Sequence, residues 1–458
     1  MNEALNFESL KELVNQKNYR ALRDMLVEEN EVDIAEFLEE LDEKHRAVVF
    51  RILPKEIAAD VFSFLTPETQ RIIISAITDK ELSLIVEDLF VDDAVDMLED
   101  MPANVVTRVL KSASADTRRL INQFLKYPDN TAGSIMTAEF IDLKKDMTVK
   151  EAIERIRKTG EDSETIYTCY VIDRRRVLHG IVTVKDLLLN PDDAVMSDIM
   201  ETDVICAKTT DDQEQVGQTM MKYDLITLPV VDSENRLVGI VTVDDVMDVM
   251  EEEATEDIEK MAAISPSDRP YFQTGVFETF RSRIPWLLLL MISATFTGAI
   301  ISSFEDKLAI FAGLIAFIPM LMDTSGNSGS QSSVTIIRAI SLGDVEFSDI
   351  FKVIWKEMRV AFLCSLTLAI VNGIKLYLVD YLWLNSLDTG KAIPEVLVVC
   401  LTIFCTVVVA KLVGCTLPIL AKKVGFDPAV MASPFITTIV DAISLLIYFT
   451  IASMIIIA

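Results

Sequence analysis

Histidine is almost missing: His45 and His179 are the only two in 458 residues. The six cysteines (Cys169, Cys206, Cys364, Cys400, Cys405, Cys415) form no Cys-x-x-Cys pair, which argues against zinc and disulfide frameworks. No nucleophile–base pair and no phosphate-binding glycine loop stands in the sequence, so an enzyme is not expected. Basic residues are scarce, 42 Lys and Arg against 71 Asp and Glu, for a net charge of −29. That balance argues against a nucleic-acid or anionic-membrane surface and favours cations as ligands, although a merely solvated acidic surface has the same composition. The opening MNEALNFESLKELVNQ is charged and lacks an apolar core, so no secretory leader is expected and the soluble part is placed in the cytoplasm.

What is present is segregated. Residues 285–458 hold 10 Lys/Arg and 12 Asp/Glu, a net of −2, so −27 of the charge lies in the first 284 residues. Residues 1–130 repeat one layout, a short amphipathic helix, a polar or proline turn and a second helix: DIAEFLEELDEKHRAVVFRIL (33–53), AADVFSFLTPETQRIIISAI (58–77) and DAVDMLEDMPANVVTRVLKSA (93–113). No pair can bury its apolar face alone, so the repeats are expected to stack into an α-helical superhelical domain. Its acids, among them Asp60, Asp92, Asp93 and Asp96, are singly ordinary. Asp92 and Asp96 stand at i, i+4, where like charges repel slightly unless a cation lies between them.

Residues 131–250 hold a tandem repeat of mixed α/β character, plainest in GIVTVKDLL (180–188) against GIVTVDDVM (239–247). Each half reads as a strand, an amphipathic helix, two β-branched strands about a turn and a closing helix. The pair resembles cystathionine-β-synthase (CBS) domains, which implies regulation of an attached part and adenine nucleotide bound in the clefts. From 251 to 284 a connecting segment follows. The acidic helix DDVMDVMEEEATEDIEK (244–260) places Asp245, Asp248, Glu252, Glu256 and Glu259 along one face, a face that repels itself unless cations lie on it. SPSDRP (265–270) then breaks the helix, with Arg281 and Arg283 before the membrane.

Residues 285–458 are expected to cross the membrane five times as helices: 286–304, a second span beginning at 308–322, 360–374, 396–410, and the stretch from Asp427 onward. Loop lysines and arginines give a cytoplasmic N-terminus and an external C-terminus. Two of these spans are not apolar throughout. After Pro319 comes MLMDTSGNSGSQSS (320–333), with Asp323, Asn327 and Gln331 at i, i+4, i+8; small-residue packing explains the Gly and Ser but not the acid and amides. The last span carries Asp441 near its middle, at a cost of ~2.5–3.5 kcal/mol on insertion scales. Asp427, Pro434, Thr437, Asp441, Ser444 and Tyr448 fall on one stripe of that helix, started by Asp427-Pro428, with Pro434 expected to free the carbonyl of Val430. The bland alternative is that Asp441 glues helices together, for example through Lys411.

Order, spacing and the two membrane motifs, P…GNSGSQS and DP…SPFITTIVDAISLLIYF, resemble the MgtE family of magnesium channels over the whole chain. The resemblance implies a homodimer in the plasma membrane with a pore on its twofold axis, where Asp441 binds hydrated Mg²⁺ in company with Thr437, Asn327 and Gln331, and Asp427 lies at the cytoplasmic mouth. It implies a Mg²⁺ sensor made of Asp60, Asp92 and Asp96 in the first domain, Glu214 and Asp224 in the second CBS repeat, and Asp245, Asp248, Glu253, Glu256 and Asp257 on a connecting "plug" helix. It further implies ATP at the CBS pair. Ser433 stands where the family commonly has Asn, and Asp323-Thr-Ser where it is commonly Gly-rich. A proton- or sodium-coupled carrier of Co²⁺ or Mn²⁺, or a membrane-anchored nucleotide sensor, are the other functions weighed.

Overall fold

The computed structural model describes residues 7–99, 101–267, 271, 274–304, 312–383 and 392–456. The chain divides into two compact units, Met1–Val249 and Met250–Ala458, with the division inside the helix Val243–Met261.

In the first unit, ten described helices run from Phe7–Asn15 to Ala115–Phe124. Leu22, Leu26, Ile34, Phe37, Leu38, Phe62, Ile73 and Leu82 are fully buried between them. At ~1.5–3 kcal/mol per buried side chain this core outweighs any single polar contact. Polar contacts instead fix how one helix pair meets the next. Glu39 accepts from the backbone N–H of Thr66, 27 residues on, and from the hydroxyl of Thr69, 30 residues on. Glu87 does the same with Ser114 and Thr117 at identical separations. Thr66 and Ser114 are each the residue before a helix start, so a carboxylate from an earlier helix supplies part of the cap. The solenoid repeat visible in the sequence is therefore written in its caps as well as in its apolar residues.

Each half of the tandem repeat is a three-stranded sheet. Phe140–Leu143 pairs parallel with Thr165–Ile172, which pairs antiparallel with Leu178–Thr183. Ala207–Lys208, Thr227–Val231 and Leu237–Thr242 repeat the order. The halves are stitched reciprocally: Thr137 and Ile240 exchange backbone bonds of 2.8 and 2.9 Å, and Ile181 and Glu201 exchange a pair of 3.0 Å. This explains the glycine of the doubled GIVTV. A Cβ on Gly239 would stand 2.6 Å from the Thr137 carbonyl oxygen, and one on Gly180 would stand 2.6 Å from that of Glu201. Gly239→Ala should therefore destabilise the pair by about 1–3 kcal/mol, the usual cost of overpacking. Thermal unfolding of the full chain would register it as a lowered first transition; an unchanged midpoint would refute the close approach.

In the second unit, Val276–Ser303, Ile318–Ser341, Ile350–Lys375, Ala392–Val424 and Ser433–Ile456 are long helices. Four described segments are long and apolar enough to cross a bilayer: Val276–Ser303, Phe347–Val379, Ile393–Val424 and Pro428–Ile455. Ile318–Ser341 has the length, 24 residues or about 36 Å at 1.5 Å per residue, but its polar motif removes the hydropathy. The span expected from 308 partly lies outside the described residues. The helix that carries the motif begins at Ile318, where Pro319 occupies the first turn that suits proline. Phe317, Leu321, Val399, Ile403, Val407, Leu445 and Phe449 form a buried apolar centre between three of these helices.

Two further expectations are corrected. Asp427 starts not the last α-helix but a short 3₁₀ turn, Pro428–Met431, by accepting from the N–H of Ala429 at 2.8 Å. The α-helix restarts at Ser433, so Pro434 lies in its first turn, where no intrahelical bond is lost and no interior carbonyl is freed.

Candidate ion pathway and acidic cavity

The first unit contains a cavity of about 700 Å³ lined by nine carboxylates: Glu31, Asp60, Asp92, Asp93, Asp96, Glu164, Asp244, Asp245 and Asp248. Among the described lining residues there is no lysine, arginine or histidine. Five parts of the chain supply the acids, with Glu31 opening the helix Glu31–Glu39 and Asp60 on the helix Lys55–Ser63. Asp92, Asp93 and Asp96 come from the helix Val91–Glu99; Glu164 precedes the strand Thr165–Ile172; Asp244, Asp245 and Asp248 open the helix Val243–Met261.

The repeat explains the last group. In the first CBS-like half, Thr183 and Asp186 form a reciprocal cap on the helix Val184–Leu189. In the second half the matching Thr242 donates its hydroxyl to Asp245. Asp245 is thus first a capping residue, and its neighbour makes the difference: Lys185 in one half is Asp244 in the other.

Burial pushes Asp92 well above the usual carboxylate range, with Asp245, Asp93 and Glu164 adding repulsion. Burial, then the charges of Asp245, Asp60 and Asp244, raise Asp93 to about 6. Glu164 rises to about 7 and Asp245 to about 6, again through burial first. Asp60 is raised by burial and by Glu31 and Asp88. The sign of the linkage follows. With unfolded values near 4, the folded unit holds extra protons between pH ~4 and ~7, so these groups weaken folding progressively as pH rises through that window. In chelator, the unfolding midpoint of this unit should fall between pH 5 and 7.5, and Mg²⁺ should restore it at pH 7.5 far more than at pH 5. Equal Mg²⁺ effects at both pH values would contradict this electrostatic account.

Among the described residues no three acidic, histidine or cysteine side chains converge closely enough to hold a metal ion directly. The donor set is all hard carboxylate oxygen, widely spaced. It fits a cation that keeps much of its water, as Mg²⁺ does, better than an all-protein cage.

In the second unit, the helix Ile318–Ser341 has two faces. Ser325, Gly326, Ser328, Gly329, Ser332 and Ser333 are buried, while Asp323, Asn327 and Gln331 are exposed in a row, with Asn327 Nδ2 donating to Asp323 Oδ1 at 3.1 Å. The small residues permit close crossing. A Cβ on Gly414 would stand 2.2 Å from the Gly329 carbonyl oxygen, and one on Gly326 3.1 Å from Thr437 Cγ2 and 3.6 Å from Asp441 Oδ1. Ser444 Oγ donates to Ser325 Oγ at 2.8 Å, and Tyr448 OH donates to the Leu314 carbonyl at 2.8 Å. So the expected stripe of the last helix splits. Ser444 and Tyr448 are packing contacts, whereas Thr437 and Asp441 stay half-exposed beside Gly326, with Asp323 as the charge that acts on Asp441.

Lys411 does not serve Asp441. Its ammonium is buried and donates to Ser332 Oγ at 3.4 Å, and that hydroxyl donates to Glu357 Oε2 at 2.7 Å. The node joins three helices behind the polar stripe, a contact that sequence spacing alone did not indicate. Removing one member leaves an opposite charge buried, so Glu357→Gln should cost about 3–5 kcal/mol and Glu357→Gln with Lys411→Met much less. Thermal unfolding in detergent distinguishes the two; equal losses would dissolve the node as a charge pair.

At the end of the helix Val243–Met261, Asp257 accepts from Ser341 Oγ at 2.8 Å, and Lys260 Nζ lies 2.5 Å from Glu256 Oε1 and 2.6 Å from Asp427 Oδ2. Glu253 stands half-buried on the same helix. Glu214 and Asp224 are not among the cavity residues: Glu214 opens the helix Gln213–Tyr223 and accepts from Gln218 at 3.2 Å, and Asp224 is its exposed left-handed cap at φ 51°. The structure thus brings Asp60, Asp92, Asp96, Asp245 and Asp248 together and adds Glu31, Asp93, Glu164 and Asp244, which sequence reasoning had not assigned to a site.

Comparison with known proteins agrees with this layout. The MgtE profile, described as a divalent cation transporter, matches residues 318–451, the MgtE intracellular N domain matches 29–130, and the CBS domain matches 132–191 and 196–252. The magnesium transporter MgtE of Thermus thermophilus is 38% identical over 336 residues, 73% of this chain and 72% of that protein. That of Bacillus subtilis is 34% identical over 362 residues, 79% and 78%. A crystal structure of the cytosolic domain of the Mg²⁺ channel MgtE in complex with ATP is 38% identical with a TM-score of 0.51, covering 53% of this chain and 99% of that one. One of the soluble part of a magnesium transporter is 32% identical with a TM-score of 0.52, covering 54% and 98%. The chain belongs to the MgtE family of divalent cation transporters.

Proposed function

We propose that this protein is a Mg²⁺ channel of the plasma membrane, closed by Mg²⁺ bound to its own cytoplasmic acids. The observation that carries the reading is the row of Asp323, Asn327 and Gln331, exposed on a helix long enough to span a bilayer, beside the half-exposed Asp441. Lipid cannot satisfy such a face, so it lines water. In one chain this face is open, which suits a pore formed with a second copy, five spans from each. Hydrated Mg²⁺ passes along amide and hydroxyl groups at Gln331, Asn327 and Thr437 and meets its charge partner at Asp441. An outer-shell carboxylate attracts the ion without stripping water that Mg²⁺ releases reluctantly.

The cytoplasmic acids supply the gate. Cations in the nine-carboxylate cavity relieve repulsion among the chain segments that line it, so the arrangement that gathers them is favoured when Mg²⁺ is plentiful. Asp257 and Asp427 belong to the mouth end of this device, with Glu253 and Glu256 on the helix that closes it, and Glu214 and Asp224 are assigned to the sensor by resemblance. The ATP complex of the related cytosolic domain supports adenine nucleotide as a second ligand, held by the CBS pair.

A coupled carrier of another divalent ion is the competing reading. Proteoliposomes holding the full chain and a Mg²⁺ indicator decide between them: with pH and Na⁺ equal on both sides, Mg²⁺ should enter down its own gradient. Flux that begins only when a proton or sodium gradient is imposed would replace the channel with a coupled carrier. ATP binding without any flux would leave the anchored sensor.

A further inference from the structure

The Lys260 ammonium, with a side chain only 21% exposed, bridges carboxylates of two elements, Glu256 on its own helix and Asp427 on the turn that leads into the Asp441 helix. Neither end of the bridge is loose. The other oxygen of Asp427 is fixed by the Ala429 N–H at 2.8 Å, and Met261, beside Lys260, packs against Ile337, Ala429 and Ala432. One turn back, Asp257 is held by Ser341 at 2.8 Å, at the end of the helix that carries the polar stripe. Asp427 is close enough to Asp257 for their like charges to repel.

Three half-buried carboxylates at one place need a cation. Here the chain provides its own. Its ammonium lies 2.5 Å from a Glu256 oxygen and 2.6 Å from an Asp427 oxygen, so one side chain supplies positive charge to both carboxylates. We propose that Lys260 is a tethered cation that occupies Glu256 and Asp427 and excludes a divalent ion from them, holding the mouth by a side chain when no Mg²⁺ is bound. This rests on the channel reading above and adds a residue the acidic motifs do not contain. An ammonium differs from Mg²⁺ in two ways that matter: its local concentration is set by the helix and not by the cell, and one positive charge leaves the three acids only partly neutralised. Mg²⁺ must therefore displace it before it can bridge the same pair.

The test uses the full chain in proteoliposomes. Lys260→Met keeps the apolar stem and removes the charge; Lys260→Arg keeps the charge and controls for packing. With cytoplasmic divalent ions chelated, Lys260→Met should raise Mg²⁺ flux about fivefold over the parent, the release expected from one ion pair at the strong end of the exposed range. It should also bind one further Mg²⁺ per chain in equilibrium dialysis, while Lys260→Arg should match the parent in both. Parental flux from Lys260→Met in chelator overturns the proposal whatever the dialysis gives. The pore reading is checked separately in the same vesicles, by adding Asp441→Ala to Lys260→Met: surviving extra flux would show that ions do not pass Asp441, a failure of the pathway and not of the tethered cation.

Discussion

Asp441→Ala in the full chain should lower Mg²⁺ flux by at least about a hundredfold while the protein still folds and assembles. A divalent ion held about 5 Å from a carboxylate through its water gains roughly 6–7 kcal/mol at an effective dielectric near 20, an upper bound that solvent and neighbouring charges reduce. Losing even half of it removes the main attraction where Asp441, Thr437 and Gly326 meet. Asp441→Asn sharpens the test. If the residue only ties two helices by a hydrogen bond, asparagine keeps flux near the parent's; if its charge draws the ion, asparagine fails almost as badly as alanine. The structure already weakens the tie, because the buried lysine once offered as its partner donates to Ser332.

The second large effect lies in the acidic cavity. Neutralising Asp92, Asp96, Asp245 and Asp248 to asparagine together removes four of nine lining charges without touching the second unit. The cavity then offers fewer carboxylate oxygens for cations to bridge, so bound Mg²⁺ favours the closed arrangement by less. The variant should conduct through Asp441 as before yet resist closure, with the Mg²⁺ needed for half-closure raised about tenfold or more, equivalent to ~1.4 kcal/mol of lost differential binding. Asp245 carries a separate cost, since Thr242 donates to it at the helix start; Asp245→Asn alone should cost about 1 kcal/mol of cap and be judged against Asp186→Asn, its counterpart outside the cavity. Closure at the parent's Mg²⁺ concentration would make the cavity a solvated acidic surface and nothing more.

The element types were readable wherever the residues repeat. The helix pairs, the doubled GIVTV and the apolar spans all announce themselves by period, and the same glycine recurs in both halves because the same backbone approaches it. What the sequence hides is convergence. Asp93 and Glu164 look like single surface acids, and only folding buries them beside Asp245 so that each is driven to titrate far above its free value. Asp427-Pro428 carries a helix-start signal, and the chain does use it, but for one 3₁₀ turn, because Ser433-Pro434 offers a second start six residues later. The run SGNSGSQSS mixes two messages at a period of four: its glycines and serines serve packing, and its amides, one residue out of phase, face the open side. Lys260 is the lone base of an acidic helix, and nothing in its own segment marks it. Its role lies in reaching Asp427, far along the chain.

Mg²⁺ current through single molecules of the full chain, recorded with no pH or Na⁺ gradient while cytoplasmic Mg²⁺ is raised stepwise, tests the central claim most directly. Discrete openings at low Mg²⁺ should be driven by the Mg²⁺ gradient alone and close steeply, with a dependence on more than one bound ion, as cytoplasmic Mg²⁺ rises. Openings whose frequency ignores cytoplasmic Mg²⁺, or no Mg²⁺ current at all without a coupling gradient, would contradict it.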